Sequence, residues 1–257
     1  MRRKTVQNTI SLGVRARGAF TLTIKYGLRM RRRHEKPGMN QPRTAKDSSK
    51  WYNPRMIVVD VEASGTEYEK HSIVSIGALD FDNPTNQFYD ECRIWEGAHI
   101  MEGALEVNGF TEAEITDPTK KSEQEITTAF LAWSEDITDR TLAGQNVSFD
   151  RDFLKAAAGR AGLNWDLAYR TIDTHTLCWM HMVKRGLTPP IDPEKRRSAL
   201  DLDAVLNYIG IPAEPTPHNA LTGALSHAEV IARLLYDKKL LPEFEQFDIP
   251  WQNEKTS

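Results

Sequence analysis

Met56-Ile57-Val58-Val59-Asp60-Val61-Glu62 is a short apolar run that ends in two acidic residues, and the fold prediction starts from it. The run is brief and rich in β-branched residues, which predicts a buried strand. Side chains alternate along a strand, so Asp60 and Glu62 point to the same face at its end. Two carboxylates in that position can hold a hard cation such as Mg²⁺ or Mn²⁺, although such a pair on its own is more often simply solvated.

Outward from this strand, the sequence predicts an α/β fold. Residues 71–81 and about 87–95 have the pattern of two more strands, separated by a turn at Asp82-Asn83-Pro84, and predict an antiparallel meander. The rest of the chain predicts helices over about 122–133, 151–161, 173–185, 199–209 and 220–236, short strands over 141–144 and 170–172, and a loop over 186–197. The expected architecture is a mixed sheet of about five strands flanked by helices, with ligands beyond the carboxyl ends of the strands.

Charge is distributed unevenly between the two parts of the chain. Residues 1–50 hold 14 basic and 2 acidic residues, whereas residues 51–257 hold 19 basic and 34 acidic ones. The first part is expected to be a basic, poorly ordered extension, with Met39 or Met56 as the working start. A phosphate-binding arm and a targeting peptide are the competing interpretations. Residues 51–257 are expected to form the folded domain.

The composition points to a soluble protein in a reducing compartment. Only two cysteines occur, far apart at Cys92 and Cys178, so no disulfide framework is expected. No apolar run approaches the length of a membrane span, and no signal peptide is recognisable. A cytoplasmic location without a membrane partner is therefore the expectation.

Two further segments carry residues suited to catalysis. In Gln145-Asn146-Val147-Ser148-Phe149-Asp150, the aspartate stands between a predicted strand and a predicted helix. On its own, Asp150 is more often a helix N-cap than a functional residue, and Asn146 suits a turn. In Pro217-His218-Asn219 the histidine precedes the last predicted helix, where it suits a general base or an ordinary surface position.

Together and in this order, the three segments resemble the DEDD exonuclease superfamily, in its DEDDh branch. That family includes polymerase proofreading subunits and RNA-trimming enzymes on an RNase H-like fold. Its Asp-x-Glu motif resembles Val59–Gly65, and its Asn-x-x-Phe-Asp motif resembles Gly144–Asp150. Two lesser segments are also similar, Val107–Thr111 and Asp173–Leu177. The resemblance covers about residues 56–237.

The resemblance implies a 3′–5′ exonuclease acting on the 3′ end of DNA or RNA, with single-stranded ends expected. It implies two divalent ions, Mg²⁺ or Mn²⁺, held by Asp60, Glu62 and Asp150, with His218 as general base. The residues expected to border the terminal nucleotide are Ala63, Ser64, Gly65, Thr66, Phe110 and Asn146.

The chain departs from the family pattern at Gly223, five residues after His218, where the family has an aspartate. His227 is one candidate substitute, because it lies one helical turn beyond Gly223 on the same face. Glu229 has the required charge, but it points about 120° away from position 223. The third alternative is that neither replaces the missing carboxylate and one ion is held weakly.

Gly223 keeps two other functions open. One is a catalytically impaired module that retains the exonuclease fold and only binds nucleic acid. The other is a hydrolase of a small phosphodiester such as a dinucleotide, which the net negative charge of residues 51–257 favours, since broad phosphate contact needs a basic surface.

Overall fold

The computed structural model describes residues 55–253, so the predicted basic extension over residues 1–50 lies outside the described residues. The main strands are β1 (Ile57–Ala63), β2 (Ile73–Asp80), β3 (Asn83–Glu91), β4 (Leu142–Gly144) and β5 (Thr171–Asp173). The helices are α1 (Glu102–Asn108), α2 (Glu112–Ile115), α3 (Glu123–Ser134), α4 (Ser148–Arg160), α5 (Thr174–Lys184), α6 (Leu202–Ile209) and α7 (Ala220–Tyr236). Within the described range, no helix combines the length and the apolar character needed to cross a membrane.

The main sheet has the strand order β3-β2-β1-β4-β5. β1 pairs with β2 in antiparallel fashion, with Val59 opposite Ala78, and β2 pairs with β3 in the same way. β4 and β5 run parallel to β1. The predicted meander and the five-stranded mixed sheet are therefore confirmed. The carboxyl ends of β1, β4 and β5 meet at one edge, which is where such sheets bind ligands.

The two faces of β1 belong to different layers. Ile57, Val59 and Val61 join the core formed with α3 and α4, whereas Val58 joins the core formed with α7. Because side chains alternate along the strand, Asp60 lies on the α7 side with Val58. The helix α7 thus covers the face of the sheet on which the acidic residues of β1 lie.

A glycine in β2 brings α7 unusually close to the sheet. A β-carbon at Gly77 would lie 2.1 Å from the backbone carbonyl carbon of Ala220, so any larger residue would push the helix away. Asn219 caps the helix, since its side chain accepts hydrogen bonds from the backbone of Leu221 and Thr222. The first turn of α7 is therefore fixed directly above the end of β1.

Three predictions of local structure need correction. Asn83 and Pro84 belong to β3, because the hairpin turns one or two residues earlier than the Asp-Asn-Pro signal suggested. The loop over 186–197 contains a small hairpin, β6 (Ile191–Asp192) and β7 (Arg197–Ser198). The helices α1 and α2 were not predicted, since seven and four residues are too few to display a helical period.

Candidate active site

Asp60 and Glu62 lie in the second half of β1 and are half-buried. Burial raises the pKa of Asp60 well above its usual range, and the charges of Asp150, Glu62 and Glu214 raise it further. Burial, followed by the charge of Glu214, raises the pKa of Glu62 to about 7. Burial and the neighbouring carboxylates all raise the pKa values of these two groups. A bound cation would stabilise their charged forms.

Asp150 lies in the first turn of α4 and is 2% exposed. Its Oδ1 atom accepts a hydrogen bond of 2.9 Å from the backbone N–H of Val61, which fixes the carboxylate against β1 between the two predicted ligands. Burial raises its pKa to about 8, although this hydrogen bond acts in the opposite direction. Asp150 is not the helix N-cap, because Val147 occupies that position.

His218 lies in the loop between α6 and α7, half-buried and two residues before the helix begins. Its backbone N–H donates a hydrogen bond of 3.0 Å to the Val107 carbonyl in α1. Pro217 packs against Gly109, where a β-carbon would lie only 2.4 Å from the proline Cβ. These contacts hold the His218 loop against α1, at the same sheet edge as the carboxylates.

Glu214 is a fourth acidic residue at this edge, and sequence reasoning missed it. It is half-buried in the loop before His218, and its Oε1 atom accepts a hydrogen bond of 3.1 Å from the Thr222 hydroxyl. Burial raises the pKa of Glu214, whereas the charge of His218 lowers it. The sequence offered only a weak signal, an acid four residues before the histidine among three prolines.

Gly223 faces the carboxylates in the first turn of α7. A β-carbon there would lie 2.3 Å from Asp60 Oδ2 and 3.3 Å from Glu214 Oε1. The space that an aspartate would need at this position is therefore taken by two other carboxylates. Any side chain at position 223 would force Asp60 to move.

The two substitutes considered for the missing aspartate lie elsewhere. His227 is 1% exposed and sits over the sheet, with its Nδ1 atom 3.2 Å from the β-carbon position of Gly144. Burial lowers the pKa of His227 to about 4, and none of the carboxylates contributes to that shift. Glu229 is fully buried and forms an ion pair with Arg233. The structure brings neither residue to the acidic edge.

A cleft of about 260 Å³ opens beside Glu62, between the end of β1 and α1. Three of the residues predicted to border a terminal nucleotide line it, Ala63, Gly65 and Thr66. The residues that complete its wall are Val61, Met101, Gly103, Ala104, Val107, Asn108 and Phe149. Most of these are apolar or expose backbone, which suits the flat face of a base.

The other three predicted border residues have different surroundings. Ser64 is buried, and its hydroxyl donates to the His99 carbonyl and accepts from the backbone of Ser72. Phe110 lies beneath the Lys120 ammonium group, 5.0 Å from it. Asn146 is exposed and has a left-handed backbone, φ 51°, in the turn before α4.

The acidic edge has the composition of a divalent-cation site but not a finished chelate. Carboxylate oxygens are the ligands that Mg²⁺ and Mn²⁺ prefer. Among residues 55–253, no Lys or Arg forms an ion pair with Asp60, Glu62 or Asp150, so the charge suits a cation from solution. In the same range, no three His, Cys, Asp or Glu side chains already converge on one point as metal ligands. Ion binding would therefore need side-chain rotations.

The sheet order, the helical layers and the acidic edge define the class of the protein, a DEDD-type exonuclease domain with an RNase H-like fold. Residues 55–235 match the family described as the 3′-5′ exoribonuclease Rv2179c-like domain, and the chain belongs to this family. The resemblance inferred from the sequence motifs is thereby confirmed, and so is the enzyme class at the level of the family, a 3′–5′ exonuclease.

Similar curated proteins include replicative and RNA-degrading enzymes. The DNA polymerase III PolC-type of Thermotoga maritima is 26% identical over 196 residues, which cover 75% of this chain and 13% of that protein. The DNA polymerase III subunit epsilon of Pasteurella multocida is 28% identical over 69% of this chain and 65% of its own length. The oligoribonuclease of Corynebacterium diphtheriae is 28% identical over 49% of this chain and 64% of its own length. The chain thus spans less than two thirds of the length of the first of these relatives.

Solved structures of exonucleases share the fold. The nuclease domain of 3′hExo, a DEDDh family member bound to rAMP, superposes with a TM-score of 0.55 at 16% identity, covering 74% of this chain and 96% of that one. E. coli Exonuclease I in complex with a dA16 oligonucleotide gives a TM-score of 0.55 at 14% identity, covering 72% and 41%. The predicted RNase H-like fold is confirmed by these likenesses.

Proposed function

We propose that this domain removes nucleotides from the 3′ end of single-stranded RNA or DNA by metal-dependent phosphodiester hydrolysis. The observation that carries the proposal is the concentration of uncompensated carboxylates at the sheet edge, directly beside a cleft with a mainly apolar wall. The family description favours RNA as the polymer. The curated relatives named for DNA synthesis and for RNA degradation support both polymers as candidates.

Asp60, Glu62 and Asp150 would hold two divalent ions, Mg²⁺ or Mn²⁺. When bound, such ions lower the pKa of a coordinated water and stabilise charge on the attacking and leaving oxygens of a phosphodiester. The hydrogen bond from Val61 fixes the orientation of Asp150, so one ligand is already positioned by the backbone. The remaining carboxylates would complete the ligand set by rotating toward the ions.

His218 is proposed as the general base that takes the proton of the attacking water. Two observations support this role. The histidine lies on a loop held to α1 through Val107 and Gly109, next to the cleft, and its charge acts on Glu214 at the acidic edge. Imidazole is the side chain that most often serves as a general base.

The cleft would receive the terminal nucleotide. Phe149 offers a stacking surface, and stacking contributes about 1–3 kcal/mol per base in single-strand binders. Ala63 and Gly65 line the cleft with little or no side chain, which leaves room for a sugar. A cleft of this size beside the acidic edge accounts for action on the last residue of a strand, not on its interior.

The proposal is tested by incubating 5′-labelled single-stranded RNA and DNA with the purified full chain, in Mg²⁺ and separately in Mn²⁺. We expect a ladder that shortens from the 3′ end and that is absent with Asp150→Asn. The faster polymer identifies the substrate. Asp152→Asn is the matched control, since Asp152 is a partly buried acid two residues along the same helix that pairs with Arg151.

Gly223 favours a second candidate, an impaired module that binds 3′ ends without cleaving them. Folded protein that binds the labelled strands but leaves them intact in both metals would establish that function and reject ours. We also propose a cytoplasmic location, which is supported by two cysteines, Cys92 and Cys178, that are both free and buried.

A further inference from the structure

The loop between α6 and α7 carries an acidic side chain into the space that the family aspartate would occupy. Glu214 Oε1 lies 3.3 Å from the point where a β-carbon of residue 223 would stand, and Asp60 Oδ2 lies 2.3 Å from the same point. Both oxygens thus face the gap that the glycine leaves. A side chain at position 223 and the observed position of Asp60 exclude each other.

The position of Glu214 is held by contacts on both sides of it. The Thr222 hydroxyl in α7 donates to its Oε1 atom over 3.1 Å. On the C-terminal side, the backbone N–H of His218 is bonded to Val107, and Asn219 Nδ2 donates to the Tyr89 hydroxyl over 2.9 Å. The loop is therefore attached to α1, to β3 and to α7, which directs Glu214 toward the sheet edge.

Glu214 also shares the electrostatic field of the predicted ligands. Its charge acts on both Asp60 and Glu62, and no Lys or Arg among residues 55–253 forms an ion pair with it, although the charge of His218 acts on it. A half-buried carboxylate among other carboxylates is unfavourable unless a cation joins them. Asp60 and the three carboxylates whose charges act on it, Asp150, Glu62 and Glu214, make four, the number that the family pattern supplies.

We infer that Glu214 supplies the fourth carboxylate of the active site, in place of the aspartate that Gly223 replaces. The ligand arrives from the loop before His218 and not from the helix after it. The longer side chain of glutamate spans the extra distance from the loop, and the glycine leaves room for it. This inference rests on the proposed function, because it assigns a ligand to the same divalent-cation site.

The competing role for Glu214 is purely structural. An acidic side chain near the start of α7 interacts favourably with the helix dipole and with the Thr222 hydroxyl. Under that role, Thr222→Val and Glu214→Gln would affect the protein in the same way. Under the ligand role, only Glu214→Gln removes a charge from the cation site.

The experiment is Mn²⁺ binding to the full chain by isothermal titration calorimetry, with the metal-free melting temperature as a check on folding. We expect Glu214→Gln to bind Mn²⁺ about tenfold more weakly or to lose one ion, since even residues outside the ligand shell of a metal are worth about 10–100-fold. Thr222→Val keeps every carboxylate and removes only the hydrogen bond to Glu214, so it should weaken Mn²⁺ binding less than Glu214→Gln does. Glu214→Asp, which keeps the charge on a shorter side chain, should be intermediate and decides the matter if Glu214→Gln does not fold.

The outcomes separate this inference from the function on which it rests. Wild-type affinity and stoichiometry in Glu214→Gln, together with weakened binding in Asp150→Asn, would overturn the role of Glu214 and leave the exonuclease proposal standing. Equal losses in Thr222→Val and Glu214→Gln would assign Glu214 a structural role. Absence of Mn²⁺ binding in the wild type would reject the metal site altogether.

Discussion

The two ends of α7 treat buried acidic groups in opposite ways. Near its carboxyl end, Glu229 and Arg233 are fully buried, and Arg233 Nε donates to Glu229 Oε1 over 2.7 Å. The second oxygen of Glu229 accepts hydrogen bonds from the backbone N–H groups of Leu240 and Leu241. Near its amino end, Gly223 faces a group of carboxylates with which no Lys or Arg of the described chain forms an ion pair.

The ion pair near the carboxyl end of α7 stabilises the fold, whereas the unpaired carboxylates near the amino end are available for catalysis. A buried carboxylate without a partner costs free energy, and the arginine beside Glu229 removes that cost at one position. Within residues 55–253, no arginine or lysine does the same for the carboxylates that Gly223 faces. The unpaired group lies at the carboxyl end of β1, beside the cleft. Perturbed carboxyls in such a place are typical of functional sites.

The largest expected effect is on activity, at the amino end of α7. Asp150→Asn should reduce the rate of 3′-end hydrolysis about a thousandfold or more, because several kcal/mol of transition-state stabilisation depend on the metal ligands. The metal-free protein should be about as stable as the wild type, since the amide oxygen of asparagine can still accept the hydrogen bond from the Val61 N–H and the substitution removes an ionisable group whose burial is unfavourable. Single-turnover hydrolysis and thermal unfolding measure the two quantities, and a large loss of stability would show that Asp150 has a structural role.

The second effect is on stability, at the carboxyl end. Glu229→Gln leaves the Arg233 guanidinium buried without its carboxylate and should destabilise the fold by about 3–5 kcal/mol. Activity per folded molecule should be unchanged, because Glu229 lies away from the acidic edge. Chemical denaturation provides the free energy of unfolding. Full stability with lost activity would reverse the roles assigned to the two ends.

Gly223→Ala should affect activity at an intermediate level. The added methyl group would lie 2.3 Å from Asp60 Oδ2, so Asp60 must rotate away, and a displacement of that kind can reduce the rate about a hundredfold. Stability should not fall, because alanine favours a helix more than glycine does. Gly223→Asp should likewise not raise activity. A sharp gain from that aspartate would mean that the site lacks a fourth carboxylate.

The last predicted effect is on the pH dependence of stability. The unfolded chain loses its carboxyl protons near pH 4, whereas folded Asp150 and Glu62 keep theirs up to about 8 and about 7. Between these values the folded state binds more protons, so the stability of metal-free protein should decrease as pH rises from 5 to 8.5. Melting temperatures in a chelator measure this, and Asp150→Asn should flatten the slope. An unchanged slope in that variant would place the effect elsewhere.

The sequence predicted the site residues of β1 and α4 because motifs of local spacing encode them. Asp60 and Glu62 follow a run with a clear strand period, and Asp150 follows a strand and opens a helix. The same periods predicted the antiparallel meander and a mixed sheet, whereas the strand order came from the structure. Glu214 could not be predicted, because its role depends on how a proline-rich loop folds back on α7. His227 shares a helical face with Gly223, but the close approach of α7 to the sheet buries it over Gly144.

The central claim is that the amino end of α7 and the end of β1 form a divalent-cation site for the 3′ end of a nucleic acid. The most direct measurement is anomalous X-ray scattering from crystals of the protein soaked in Mn²⁺. We expect anomalous peaks from Mn²⁺ among the carboxylates of Asp60, Glu62, Asp150 and Glu214, and none in crystals of Asp150→Asn. Strong peaks elsewhere, or a fully bound ion at His227, would contradict it.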